Sequence, residues 1–484
     1  MKLERSTYQK PLSLTGLGGG ATSLNFAGAA GISKEYWIAT LGSNTAGGGQ
    51  DTRTEAKDVA VDRSGNVYVC GYTRCTPTGN YGILVVKYSE SGSLEWQRIW
   101  GSTVSNSYDF GHGITVDGSG NIYVVGHSDS GGTNQGALIL KYNDSGVLQW
   151  QRTFGPNSAE AFAVDFDNSG NIYICGTTSD GGNGNNHMIA KCNSSGTLQW
   201  QRALSSGTQS DAALDIAVDR NNDVLYISGK KRTPNYNYDG TLAKYNLSGV
   251  LQWHREFTAS NGDYQDFANA IAVDSSGNVY SSGRTLQLAS SNPGGQGYSN
   301  YDGFIVKCSS SGYSFSEITF GGNSSDDGTG LVFDSQDNLY LCGNSSSGNS
   351  VYSVGGRGLI MRFTTGLYSS WQRRLGDSGS NDGTQRITVD HQDVAIYTSG
   401  TTTDTGPGSY NMLISKLPPD GTGTGNYNTP HLHYVAETYT PTSFWSVNYD
   451  YSPGYSDSDV GTSQSTPTVS DFAGSLTSAM YVVS

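Results

Sequence analysis

An all-β fold, a seven-bladed β-propeller closed by a strand from the N-terminus, is what this 484-residue sequence predicts. Three features point there. One strand–turn–strand signature recurs seven times. No stretch of ten or more residues carries a helical period, so the apolar runs read as strands. The seventh copy lacks its final strand, and a match for that strand lies near the start of the chain.

The signature is V-D-R-S-G-N-V-Y-V-C-G at residues 61–71: an apolar strand, an Asp, a tight polar turn, and a second strand ending in Gly. Its anchoring aspartates are Asp62, Asp117, Asp167, Asp219, Asp274, Asp334 and Asp390, spaced 50 to 60 residues apart. Each unit continues into a third strand ending in a basic residue, such as Lys87, Lys141, Lys244 or Arg362, usually followed by an aromatic. A Ser-Gly turn leads to a fourth strand typified by L-Q-W-Q-R-T-F-G at residues 148–155. Related strands start around Trp96, Trp200, Trp253 and Trp371, while residues 313–320 form a degenerate version without Trp. Taken alone, 66 Gly and only 35% hydrophobic residues would be compatible with disorder. The clustering of apolar residues into short runs, separated by Gly, Asn, Ser and Asp, argues for many short strands instead.

After Lys416 the chain runs into Pro418, Pro419, Asp420 and Gly421 with no fourth strand. The stretch W-I-A-T-L-G at 37–42 matches W-Q-R-R-L-G at 371–376 in its Trp, Leu and Gly. Trp37, Leu41 and Gly42 are therefore the expected ring-closure residues. A closed ring avoids the open sheet edge on which further strands would aggregate. The expected organisation is an N-terminal tail over 1–34, the propeller over 35–418, and a linker with a β-rich C-terminal extension over 419–484. Alternating aromatic and apolar residues in 431–451 and 478–484 predict extra strands there, docking on the propeller or on neighbouring chains.

In a four-stranded up-and-down blade, the first-to-second and third-to-fourth connections share one face of the ring. Here these are uniform tight turns of Asp, Asn, Ser and Gly. The connections on the opposite face are longer and differ between units. They include residues 104–111, with Tyr108 and Phe110, and residues 229–240, with Lys230, Lys231, Arg232, Tyr236 and Tyr238. Residues 283–303 add Tyr298 and Tyr301. Variable loops on a rigid scaffold are where recognition is built, and Tyr, Ser, Gly and Asn suit adaptable contacts. Both tails should leave from the tight-turn face, opposite these loops.

A net charge of −14 argues against nucleic-acid binding. The opening residues lack the apolar core of a signal peptide, and no run is long enough to cross a bilayer, so no membrane insertion and synthesis in the cytoplasm are expected. Cys70, Cys175 and Cys342 fall at one repeat position, and Cys192 with Cys308 at another, so they should be buried thiols too far apart to pair. No catalytic constellation emerges: there is no G-x-S-x-G or H-E-x-x-H motif, and the seven histidines look scattered. No enzyme activity and no cofactor are expected. His431 and His433 are the one weak metal candidate, two imidazoles on one face of a strand.

The phrase V-D-x-S-G-N-V-Y-V-x-G, followed by K-Y and then L-x-W-x-R, resembles the SBBP-type β-propeller repeat of bacterial surface proteins and marine bacteriophage proteins. With residues 14–28 and the missing signal peptide, the chain looks more like the phage version, a virion structural protein of a tailed phage. The resemblance implies attachment to the particle in a tail, neck or fibre position, in several copies, through contacts of the N- and C-terminal segments with other virion proteins. It supplies no functional residues. Binding of a host-surface glycan or protein is expected from the loop asymmetry alone. The alternatives are a bacterial surface adhesin or lectin, and a propeller hydrolase or lyase with carboxylates or histidines converging on the central channel.

Overall fold

The computed structural model describes residues 25–26, 34–42, 53–74, 80–101, 108–129, 136–154, 159–179, 184–205, 210–234, 237–257, 265–286, 301–321, 325–346, 357–376, 382–403 and 410–422, together with short strands at 425–426, 433–436, 456–459, 464–465, 470–473 and 477–482. The fold is a seven-bladed β-propeller, with no helix among the described residues. Blade 1 comprises Thr54–Val61, Val67–Thr73, Gly82–Tyr88 and Leu94–Gly101, paired antiparallel in sequence order. Blades 2 to 6 repeat this arrangement, from Asp109–Val116 to Ser369–Leu375. In blade 7 the strands Gly383–Val389, Ile396–Thr402 and Asn411–Leu417 are completed by Trp37–Gly42, with Trp37 opposite Lys416 and Leu41 opposite Met412.

The anchoring aspartates explain the turn signature. Oδ1 of Asp62 accepts from the N–H groups of Ser64 and Asn66 at 2.8 and 2.9 Å, and Oδ2 accepts from Asn66 Nδ2 and the Tyr68 hydroxyl at 2.8 and 3.0 Å. The same four bonds recur around Asp117, Asp167 and Asp274. Each carboxylate is saturated by its own turn, and the Gly of that turn takes positive φ, 80° at Gly65. Asp117→Ala leaves these donors without their acceptor, and a loss of about 1–3 kcal/mol is expected in equilibrium denaturation.

The same face carries the interlock between blades. The third-strand cation lies over the second-strand Tyr in every blade, from Lys87 on Tyr68 to Lys416 on Tyr397. In most blades its Nζ also donates into the third-to-fourth turn of the next blade: Lys141 to Ser194 O, Lys191 to Leu247 O, Lys244 to Ser310 O. The fourth-strand Trp donates to the same turns, Trp96 to Asp144 O and Trp253 to Ser310 O. Blade 7 fastens to blade 1 in this way, with Trp37 Nε1 and Lys416 Nζ both donating to Glu90 O at 3.0 and 3.2 Å. The core lies in the seams between blades: Trp37, Tyr88, Val67 and Tyr397 belong to one buried cluster. Cys70, Cys175, Cys192, Cys308 and Cys342 are buried free thiols.

The C-terminal extension adds strands to this same ring. His433–Ala436 pairs with the outer strand of blade 6, Ser456–Asp459 with blade 3, Gln464–Ser465 with blade 2, Ser470–Ala473 with blade 1, and Thr477–Val482 with the closing strand Trp37–Gly42. These described strands thus lie on the outer edges of five blades, and Thr477–Val482 covers the strand that closes the ring.

Candidate functional site

The central channel is lined by the first strand of each blade. In all seven blades that strand carries a β-bulge at the same place, marked by a register shift such as Ala56/Asp58, Gly111/Gly113 or Thr384/Arg386. A bulge re-aims the extra side chain. The seven extra residues are Lys57, His112, Phe162, Leu214, Asn269, Thr329 and Gln385, and all of them line a cavity of about 260 Å³. Each lies five residues before its anchoring Asp. Because first strands run toward the tight turns, this cavity opens on the long-loop face. The strand-end residues Arg63, Asn168, Arg220 and His391 line a larger cavity of about 550 Å³ toward the tight-turn face.

Arg386 lines both cavities. Next to it in the channel lie Asp58 and Asp215, whose charges favour its protonated form against burial. Burial pushes the Asp58 carboxyl up to about 7, although Arg386 and two N–H donors pull the other way. Asp215 is raised for the same reasons. Each carboxylate also bridges to the next blade: Asp58 Oδ2 accepts from Ile114 N at 2.8 Å, Asp215 Oδ2 from Ile271 N at 3.0 Å. Asp165 does likewise with Val218 N at 2.8 Å. These groups hold innermost strands together across the seams.

Two seams on the long-loop face gather the loop residues singled out from the sequence. Between blades 1 and 2, Tyr81 stacks on Tyr108 and Phe110 at 5.8 and 5.3 Å, and Tyr72 meets Phe110 edge-on at 4.6 Å. Tyr108 is 47% exposed. Phe110 then contacts His127 at 5.2 Å, His127 stacks on His112 at 5.3 Å, and His112 meets Phe162 at 5.4 Å. An aromatic chain thus leads from the exposed Tyr108 to the channel mouth. Between blades 4 and 5, Lys230 lies over Tyr238 and Phe267, and Arg284 over Phe267 and Tyr301. Arg284 also reaches Asp327, which takes a bond from the bulge residue Asn269.

The variable loop face expected from the sequence is therefore gathered at two seams. Lys231 departs from it, turning to an ion pair with Glu256 at 2.8 Å on the outer strand of its own blade, because neighbours on a strand point to opposite faces. The backbone N–H of Arg232 is bonded to Asp211 Oδ1 at 3.0 Å. Tyr236, Tyr298 and His431 lie outside the described residues, and His433 begins the strand added to blade 6. The histidines are not all scattered, contrary to the sequence expectation: His112 Nε2 and His127 Nδ1 lie 3.1 Å apart. Pairing of the first two strands of blade 2 places Phe110 opposite His127, and the bulge turns His112 toward it.

A ring of seven repeated blades, fastened by a split seventh blade and diversified at one channel mouth, defines a repeat-type β-propeller. The SBBP family model, described as a beta-propeller repeat, matches three stretches of this chain, residues 37–74, 95–132 and 252–286. Each match spans the fourth strand of one blade and the first two of the next, so the sequence repeat is offset from the blade by one strand. That offset is why a lone fourth strand opens the ring at Trp37. No curated protein matches the chain. Among solved structures it is similar to a chain of the mitotic checkpoint complex (10% identity, covering 86% of this chain and 98% of that one, TM-score 0.43). It is also similar to a polysaccharide lyase (9% identity, 81% and 94% covered, TM-score 0.47). A third is Sqt1 from Chaetomium thermophilum (9% identity, 77% and 97% covered, TM-score 0.38).

Proposed function

We propose that this chain is a non-enzymatic binding protein of a tailed-phage virion, carried in several copies on a tail, neck or fibre and offering its long-loop face to a host-surface glycan or to another protein. One observation supports the binding face above all. The same structural position, the bulge residue of the first strand, holds seven different residue types, and all seven line the mouth on that face. The opposite face repeats one set of Asp, Lys, Tyr and Trp interlocks, so its chemistry is spent on the framework. Exposed Val147, Val250, Tyr313 and Tyr368 sit on the turns of that uniform face, where the tails leave, and suit contact with a neighbouring particle protein. Assignment to a virion rests on the resemblance of the repeat and of residues 14–28.

A hydrolase or lyase is the second reading, favoured by the presence of Asp58, Asp215 and His112 in the channel lining. Against it, each of those carboxylates accepts N–H groups of two adjacent blades. An array of bacterial surface polysaccharides, probed with the labelled full-length chain, separates the readings. Saturable binding without product release is expected. Depolymerisation of any polysaccharide supports the enzyme instead, and absence of the chain from purified particles removes the virion assignment.

A further inference from the structure

Three side chains from three strands meet where blades 2 and 3 border the channel mouth. His112 is the bulge residue of Asp109–Val116, His127 lies on Ile122–Ser128, and Glu160 opens Glu160–Phe166 of the next blade. One ligand atom from each lies within 4.8 Å of the other two. We propose that His112, His127 and Glu160 form a three-ligand site for a divalent first-row transition-metal ion such as zinc, with a further coordination position open to the channel mouth.

The donor set argues for this ion class. Two imidazole nitrogens and one carboxylate suit zinc and its neighbours, whereas calcium and magnesium require all-oxygen shells. Two donors held about 2.0–2.1 Å from one tetrahedral ion stand about 3.4 Å apart. The two imidazole nitrogens are 3.1 Å apart, so a small outward movement of either ring admits the ion. Without metal, the same approach is a hydrogen bond between neutral rings, one donating N–H to the other's lone pair. Glu160 is the one anionic ligand of the set.

The framework does not need these histidines. The bulge position is filled by Lys, Phe, Leu, Asn, Thr or Gln in the other six blades. The position of His127, immediately after the second-strand Gly, holds Tyr72, Thr177, Lys230, Arg284, Asn344 and Thr401 elsewhere. Both rings also lie on the aromatic chain that leads to Tyr108, and Phe110 and Phe162 flank them. Three protein ligands leave a fourth position for water or for an oxygen of a bound partner. The site stands whichever partner the loop face takes.

Calorimetric titration of the chelator-treated full-length chain with zinc chloride tests the proposal, with cobalt(II) absorption as a report on geometry. One ion per chain is expected, together with a rise in melting temperature and a tetrahedral or five-coordinate cobalt spectrum. His112→Gln, His127→Gln and Glu160→Gln should each weaken binding by at least roughly 10- to 100-fold, since even an outer-shell partner of a ligand is worth that much. His433→Gln should bind as the parent chain does. Circular dichroism and the metal-free melting temperature show that each variant is folded, and Glu160→Gln keeps the test alive if a His variant is not. No saturable binding, or binding that survives the double substitution of His112 and His127, or loss on His433→Gln alone, overturns the site.

Discussion

Trp37→Ala lowers stability by about 3–5 kcal/mol, the cost of truncating a fully buried Trp. The ring opens most readily where blade 7 is assembled from the two ends of the propeller chain, and Trp37 sits in that joint with no exposed surface. Its ring packs on Tyr88 of blade 1 at 5.8 Å, its Nε1 donates to Glu90 O, and the strand Thr477–Val482 runs along its outer side. The substitution removes packing in both blades and one of the two hydrogen bonds that fasten blade 7 to Glu90 O. Trp96 occupies the equivalent place between blades 1 and 2 but is only half-buried, and the added strand on blade 1 stops at Arg98. Trp96→Ala should therefore cost clearly less. Urea denaturation of both variants checks the order, and equal losses would deny the closing strand its special role.

Arg386→Met destabilises the ring by roughly 1–3 kcal/mol at pH 8, because it leaves Thr329 O without its donor and withdraws the cation that favours charged Asp58 and Asp215. The penalty should shrink at pH 5. Asp58 already has a raised carboxyl, about 7 in the folded chain against 3.8 for the ordinary group. Between those values the folded chain keeps a proton that the unfolded chain has released, so this group's stabilisation is full below about 4 and lost as pH rises through about 7. Removing Arg386 takes away a charge that lowers both carboxyls, so both move further up and the uncompensated charge shrinks as pH falls. Asp327, also raised to about 7, adds the same slope in the parent chain. His112, held down to about 3, has the opposite sign: its contribution is lost as pH falls from about 6.5 toward 3. Melting temperatures of parent and variant at the two pH values isolate the Arg386 effect. A gap that is equal, or wider at pH 5, contradicts the ion cluster.

Much of this architecture is legible in the sequence because the turn chemistry repeats. Asp, Asn and Tyr at fixed offsets make one hydrogen-bonded unit, and Gly65 and its counterparts permit the turn. The split blade is legible because a fourth strand keeps its Trp even when it stands alone. The channel mouth is harder to see, since a consensus discards the one position where the copies disagree. That disagreement, five residues before each anchoring Asp, was itself the available signal. Nothing local brings His112, His127 and Glu160 together: it takes a bulge, a strand pairing and the docking of the next blade. The belt of C-terminal strands is likewise visible only as alternation, because pairing with blades 6, 3, 2, 1 and 7 is long-range.

The central claim is that the diversified face, and not the uniform one, meets the partner. Binding of the labelled chain to bacterial surface polysaccharides, measured for Tyr108→Ser and Arg284→Ser beside Tyr313→Ser and Tyr368→Ser, tests it most directly. The first pair alters the two seams of the long-loop face, and the second alters exposed turn residues on the face where the tails leave. Loss of binding in the first pair with full retention in the second is the predicted result. Loss in the second pair with retention in the first would contradict it.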